Sequence, residues 1–342
     1  MTPLEGLVYG FSVALTPLNI GAALLGAVLG TLVGVLPGIG PVGAMALLLP
    51  ITLQIPPETA LIMLAAIYYG SMYGGSTTSI LLNVPGEAAS VITTIEGYQL
   101  AKRGRAGAAL AVAAVGSFVA GSLGVIGLML FAPALSRVAL SFGVPEFFGL
   151  ALLGLIALSR ASGSRFWPGI LMLGLGLALA TVGLDPISGQ ARFTFGIVEL
   201  QGGIGLVPVV MGLYGIAEVL SVAEQAGGLP VVRTIRWREL FPNLEEWRRA
   251  VPAIIRGTVV GFFVGLIPGP STVLSTFVSY NLERRLNRQA EFGRGAIEGV
   301  AGPESANNAA TSGAMVPMLS LGIPFSPATA MLLAALLVQG VR

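Results

Sequence analysis

From Gly6 to Pro57 the chain carries no charged residue, and the same is true from Thr59 to Gly86, Ala106 to Ser136, Phe166 to Leu184, Leu200 to Ala217, Gly257 to Leu282 and Ser305 to Val341. Roughly 20 apolar residues span the hydrocarbon core of a bilayer, so several of these runs can each hold one crossing and the longest can hold two. The composition agrees: 10% of residues are charged, against about a quarter in soluble domains. The expected fold class is an all-α polytopic membrane protein.

Other classes are excluded by what the chain lacks. A formal charge of +2 is too small to suggest a nucleic-acid partner, and with no cysteine there are neither disulfides nor thiolate metal sites. Histidine is absent too, Asp185 is the lone aspartate and Lys102 the lone lysine. A Ser-His dyad, a paired-aspartate site and a His-ligated metal are therefore impossible. No Gly-Lys-Ser/Thr follows the glycines between Gly34 and Gly40, so a nucleotide-binding P-loop is excluded as well. The first residues lack the basic region and cleavage site of a secretory signal, and Gly6 onward reads as a retained membrane segment.

Inside the apolar runs, one signature occurs twice. Gly34-Val35-Leu36-Pro37-Gly38 and Gly265-Leu266-Ile267-Pro268-Gly269 each interrupt a helix. Each is followed by a small-polar stretch and a second break, Ser76-Thr77-Thr78 through Pro85-Gly86 and Asn307-Asn308 through Gly322-Ile323-Pro324. A single Pro-Gly break is explained by a kink absorbed by neighbouring helices. Two breaks in corresponding positions, each with a polar satellite, point instead to the binding site of a secondary transporter. The expected architecture is thus two related halves with Pro/Gly-broken or re-entrant helices, and the pattern leaves open whether they are inverted or parallel.

Along the chain, the spacing predicts a crossing over about Thr16 to Leu36, then apolar pieces Val42 to Ile55 and Ala60 to Tyr73, the latter stopped by Gly74-Gly75. Glu87 to Arg105 is polar enough to lie at the surface. Bundle crossings follow at Ala106 to Pro133, Phe147 to Ser159, Phe166 to Gly183 and Gly203 to Val219, rich in glycine and alanine that allow close backbone approach. Placing Lys102, Arg103 and Arg105, then Arg160 and Arg165, then Arg233, Arg236, Arg238, Arg248 and Arg249 in the cytoplasm gives an alternating path through these crossings. The domain reading is a first half over residues 1–223, with a repeat unit at about 16–105 and bundle helices over 106–220. An amphipathic cytoplasmic connector follows over 224–250, and then an incomplete second repeat unit over 251–342. Arg256, near the start of a spanning run, is expected to snorkel.

Two stretches supply candidate chemistry. Gly74, Gly75, Ser76, Thr77 and Thr78 offer small hydroxyls and accessible amides, with Asn83 adding a carboxamide. Hydroxyls plus positive helix N-termini can hold a carboxylate without a buried arginine; helix packing through Ser and Thr is the plain alternative. Glu304, Ser305, Asn307, Asn308, Thr311 and Ser312 lead into a long uncharged run, where polar groups are costly and tend to be functional. Their oxygens also suit a hard cation such as sodium. A solvated loop with Glu304 capping a helix is the alternative here. The unwound positions expected to line the broken-helix site are Pro37, Gly38, Pro85, Gly86, Pro268, Gly269, Gly322 and Pro324.

Gly34-Val35-Leu36-Pro37-Gly38-Ile39-Gly40, the string from Tyr69 to Glu87, Gly97-Tyr98-Gln99-Leu100-Ala101-Lys102 and the string from Ile297 to Ala310, with its Glu304-Ser305-Ala306-Asn307-Asn308, resemble the TctA family. These are the large membrane subunits of tripartite tricarboxylate transporters. The resemblance runs along essentially the whole chain. It implies a bacterial inner-membrane permease working with a small TctB-like membrane subunit and a periplasmic TctC-like binding protein. It implies uptake of citrate or a related carboxylate with sodium or protons as coupling ion; the poor inventory of reactive side chains, for its part, leads to the expectation of no cofactor and no enzymatic reaction. Family members are longer, so missing C-terminal helices are expected, and Pro270-Ser271 stands where glycines are usual. A passive anion channel remains an alternative compatible with broken helices, and an intramembrane enzyme a more remote one.

Overall fold

A computed structural model describes residues 3–36, 39–52, 54–139, 166–185, 189–204 and 241–341, with a few isolated positions between them. The chain is an all-α membrane protein. Its helices are α1 (Pro3–Ala14), α2 (Pro17–Gly34), α3 (Gly40–Thr52), α4 (Pro57–Leu82), α5 (Val91–Lys102), α6 (Ala106–Ala139), α7 (Phe166–Ala180), α8 (Leu244–Gly265), α9 (Ser271–Leu286), α10 (Glu298–Leu321) and α11 (Pro327–Val338). A 3-10 turn, Ala88–Ser90, precedes α5, and a two-residue hairpin pairs Gly183–Leu184 with Ala191–Arg192. Pro37 and Gly38, the crossings expected at Phe147 to Ser159 and Gly203 to Val219, and most of the expected connector lie outside the described residues. α8 starts at Leu244 and runs unbroken across residue 250.

Local sequence sets the helix ends. Proline opens α2, α4 and α11, where its missing N–H costs nothing. Asn243 opens α8 with a reciprocal cap: Glu246 N–H donates to Asn243 Oδ1 at 2.8 Å, and Asn243 N–H to Glu246 Oε2 at 2.6 Å. Asn83 ends α4 and Gly322 ends α10, each in the left-handed conformation (φ 60° and 68°). α2 and the Ala106–Arg137 part of α6 are long and apolar enough to cross a membrane unaided. α4 and α10 carry more polar residues but bury them.

The two halves of the described structure repeat one packing plan. Gly26, Gly30 and Gly34 lay α2 against the backbone of Met63, Ile67 and Ser71 in α4. Gly257, Gly261 and Gly265 lay α8 against Gly302, Ala306 and Ala310 in α10 in the same way. A β-carbon on any of these glycines would overlap the facing backbone. In both pairs the contacts advance together along the two helices, so each pair is parallel, with α3 or α9 returning the chain between them. The helix-ending Asn83 and Gly322, the prolines Pro85 and Pro324, and the turn residues Glu87 and Ser326, Ser90 and Thr329 all stand at one constant separation in sequence. Their hydrogen bonds repeat too: Glu87 N–H donates to Ser90 Oγ (3.3 Å) and Ser326 N–H to Thr329 Oγ1 (3.0 Å).

The relative direction of the repeats follows from contacts between α4 and α10. Tyr69 of α4 bonds Ser312 of α10, while Ser76, further along α4, bonds Glu304, further back along α10. Equivalent helices therefore run antiparallel, and the repeats are inverted. α6 packs along α10 through Gly116, Ala120 and Gly124, closing the bundle on a second side.

Several expectations need correction. The α4 helix does not stop at Gly74-Gly75 but continues to Leu82, because Gly74 is needed for contact with Thr31 and Gly75 for contact with Gly86 and Glu87. The stretch from Glu87 to Arg105 is not a surface segment: Thr93 and Glu96 on α5 are fully buried. Gly302 to Ser312 is helical and buried throughout, with Pro303 inside α10, so the solvated-loop alternative is gone. Arg256 does not simply snorkel; it makes a two-pronged ion pair with buried Glu283 at 2.7 and 2.6 Å.

Candidate functional site: a hairpin turn against a buried polar helix face

The expected breaks at Pro85, Gly86, Pro268, Gly269, Gly322 and Pro324 all lie between helices. After α4 the chain turns sharply, with Gly86 N–H donating to Gly75 O at 3.3 Å, and after α8 Gly269 N–H donates to Phe325 O at 3.0 Å. Glu87 is thereby pushed inward beside Gly75 and Gly40.

On α10, Glu304, Asn307, Asn308 and Thr311 fall at helical spacings that share a face. Glu304 is fully buried and accepts from Ser76 Oγ at 2.6 Å and from the Thr93 hydroxyl, one on each oxygen. Asn307 Nδ2 donates to Glu87 Oε1 at 3.0 Å. Asn307 Oδ1 and Ser305 Oγ are buried and have no hydrogen-bond partner among the described residues. Asn307 stands one turn along α10 from Glu304 on the same face, so its bond to Glu87 brings the two carboxyl groups to one region of the interior. Among the described residues neither has a basic partner, whereas other buried carboxylates do: Glu283 has Arg256, Glu298 has Arg249, and Asp185 has Arg192. Glu96 instead accepts from Tyr280 Oη at 2.8 Å and from the N–H groups of Gly293, Gly295 and Ala296. Burying a charge without a counter-charge costs several kcal/mol, and here hydroxyl and amide donors alone face the two carboxyls.

A second cluster lies further along α10. Asn308 Nδ2 donates to Ser117 Oγ at 2.8 Å and to Glu304 O at 3.0 Å, and Tyr69 Oη and Ser312 Oγ are 2.5 Å apart. Tyr69, Ser117 and Asn308 line a cavity of about 670 Å³ together with Thr31, Tyr73 and Ser122.

The remaining expected residues are placed differently. Thr78 Oγ1 bonds back to Gly75 O, and Thr311 Oγ1 to Asn307 O. Thr77 is half-buried and its side chain makes no hydrogen bond among the described residues, Asn83 is a helix cap, and Gly74 and Gly75 are close-packing positions. The structure therefore joins Ser76, Glu304 and Asn307 in one cluster and Asn308 and Ser312 in another, and leaves Thr77 and Thr78 outside both. Sequence reasoning missed Glu87, Thr93, Tyr69 and Ser117. Glu87 had a signal: it is the charge that ends an uncharged run, directly after a Pro-Gly break.

The profile of the tripartite tricarboxylate transporter TctA family matches residues 20–342. The chain belongs to this family. Two proteins of Agrobacterium vitis are similar to it. An uncharacterized 52.8 kDa protein in the TAR-I ttuC' 3' region is 49% identical over 343 residues, covering 100% of this chain and 68% of that protein. An uncharacterized protein in the TAR-II ttuC' 3' region is 51% identical over 82 residues, covering 24% of this chain and 34% of that protein. No solved structure matches. The TctA family is one of transporters.

Proposed function

We propose that this chain forms the large, multi-pass inner-membrane permease subunit of a gradient-driven importer of small carboxylates. It is fed by a periplasmic TctC-like binding protein and assisted by a small TctB-like membrane subunit. The observation that carries the reading is the inverted pair of Pro/Gly-broken hairpins, the first turn reaching Asn307 on the buried face of α10 and the second lying beside Tyr68 of α4. Broken helices in inverted repeats supply unpaired N–H and C=O groups to a site that can open alternately to the two sides. Here α3 and α9 both begin directly after the Pro-Gly breaks. Their positive N-terminal ends, rather than the Gly74 to Thr78 stretch, supply the amides suited to an anionic substrate.

Orientation has support in charge. Arg103 lies 3.7 Å from Glu291, Arg105 pairs with Glu246, and Arg249 with Glu298 at 2.7 Å, so the basic ends of α5, α8 and α9 gather on one face. The positive-inside rule makes that face cytoplasmic.

The test is uptake of a carboxylate panel, citrate included, into vesicles holding all three components, with and without a sodium gradient and with and without a proton gradient. Accumulation above equilibrium that requires a cation gradient and the binding protein is expected. Downhill flux indifferent to both would replace the transporter with the passive channel.

A further inference from the structure

We propose that Glu87, Glu304 and Asn307 together bind a monovalent cation, a proton or a sodium ion, where the first hairpin turn meets α10; this assignment rests on the reading of the chain as a cation-coupled carboxylate transporter. Acceptors outnumber donors at this point. Glu304 uses both oxygens on the hydroxyls of Ser76 and Thr93, and Glu87 receives Asn307 Nδ2 at 3.0 Å. The amide of Asn307 is planar, so its Oδ1 lies beside the nitrogen that touches Glu87. That oxygen is fully buried and has no partner among the described residues. Two carboxylates and an orphan amide oxygen therefore converge without a basic side chain among the described residues.

The chemistry selects the ligand class. Carboxylate, amide and hydroxyl oxygens suit a hard cation. Among the described residues no three acidic, His or Cys side chains come together as a divalent site would ask. A carboxylate substrate cannot share the place of two bare carboxylates, so Glu304 serves the cation and not the substrate. One bound positive charge halves the local negative charge, which lowers the repulsion an arriving carboxylate meets. Cation and substrate thus each raise the affinity for the other, which is the coupling a symporter needs. A proton would occupy a carboxylate oxygen, whose O–H could then donate to Asn307 Oδ1 after a rotation of that amide; sodium would draw on the same oxygens directly.

The experiment uses the purified full-length protein without carboxylate, in two measurements. Thermal stability is followed as sodium replaces choline at constant ionic strength, and the infrared absorption of protonated carboxyl groups is followed as pH is varied. Glu87→Gln and Asn307→Ser are compared with the unaltered protein, the second variant serving if the first does not fold. Stabilisation by sodium whose half-saturating concentration rises about tenfold or more in the variants would assign sodium, that being the scale on which removing a hydrogen bond to a charged group acts. No sodium effect, with a protonated-carboxyl band lost or shifted in the variants, would assign the proton. Neither response in the unaltered protein, or responses unchanged in both variants, would overturn the site. Because no substrate is used, cation binding that survives alongside gradient-independent uptake would refute the coupling reading and leave the site standing.

Discussion

The first hairpin unit, α2 to α5, and the second, α8 to α11, share a scaffold and differ in chemistry. Both use three glycines at four-residue spacing to bring one helix onto another, and both close with a left-handed cap, a proline and a hydroxyl-capped turn. Yet where the first turn places Glu87 against Asn307, the equivalent place in the second turn holds Ser326, which bonds to Thr329 within its own turn and lies beside Tyr68. The two contacts are related by the inverted symmetry, since Tyr68 holds in α4 the position that Asn307 holds in α10. The lesson is that the backbone geometry repeats between the hairpins while the charge at the turn appears only once.

The connectors show the same contrast. Glu96 on α5 accepts from Tyr280 and from the N–H groups of the α9–α10 connector; Gln339, following α11, donates to Thr52 O at 2.7 Å at the end of α3 and to Ile55 O at 3.2 Å in the α3–α4 connector. Each repeat thus ties down the other's connector, one with a carboxylate and one with an amide. Glu96→Ala strips four donors of their acceptor, Tyr280 and Ala296 among them buried, and is expected to cost about 3–5 kcal/mol. Gln339→Ala removes two neutral bonds at a half-buried position and should cost about 1 kcal/mol. Reversible unfolding in detergent, read by circular dichroism, measures both, and equal losses would refute the contrast.

Next in size are the glycine ladders, where the repeats should behave alike. Gly30→Val and Gly261→Val each drive side-chain atoms into a facing backbone, at Ile67 and at Ala306. Each is expected to lower stability by about 3 kcal/mol, toward the upper end of overpacking effects. A marked difference between them, in the same unfolding assay, would show that one half tolerates helix separation and so moves more easily.

How much of this could be read from the sequence divides along the same line. The breaks were legible because Pro and Gly act locally, and the crossings at α2 and α6 because apolar length alone decides them. The course of α4 past Gly74-Gly75 was not legible, since those glycines are held in the helix by close packing on α2 and on the turn at Gly86. The burial of α5 was equally hidden: its polar residues satisfy one another across a long sequence separation, as Thr93 does with Glu304 and Glu96 with Tyr280. Glu304 and Asn307 stood out as polar groups in an apolar context. Glu87 did not, because a charge at the edge of an uncharged run looks like a membrane boundary until the turn folds it inward.

The smallest expected effect tests the scaffold rule most directly. α4 ends on Asn83 and α10 on Gly322, both left-handed, and both N–H groups bond back into the preceding turn, to Thr78 O and Met318 O. Asparagine is the side chain other than glycine that most readily adopts this conformation. If the two turns are equivalent, Gly322→Asn should shift stability by no more than about 0.5 kcal/mol. Gly322→Val, whose branched side chain resists positive φ, should cost about 1–2 kcal/mol. A difference in thermal midpoint between these two variants in that direction supports a shared cap geometry. If Gly322→Asn proved as costly as Gly322→Val, side-chain volume and not backbone conformation would be what Gly322 provides, and the second turn would have to be crowded in a way the first is not.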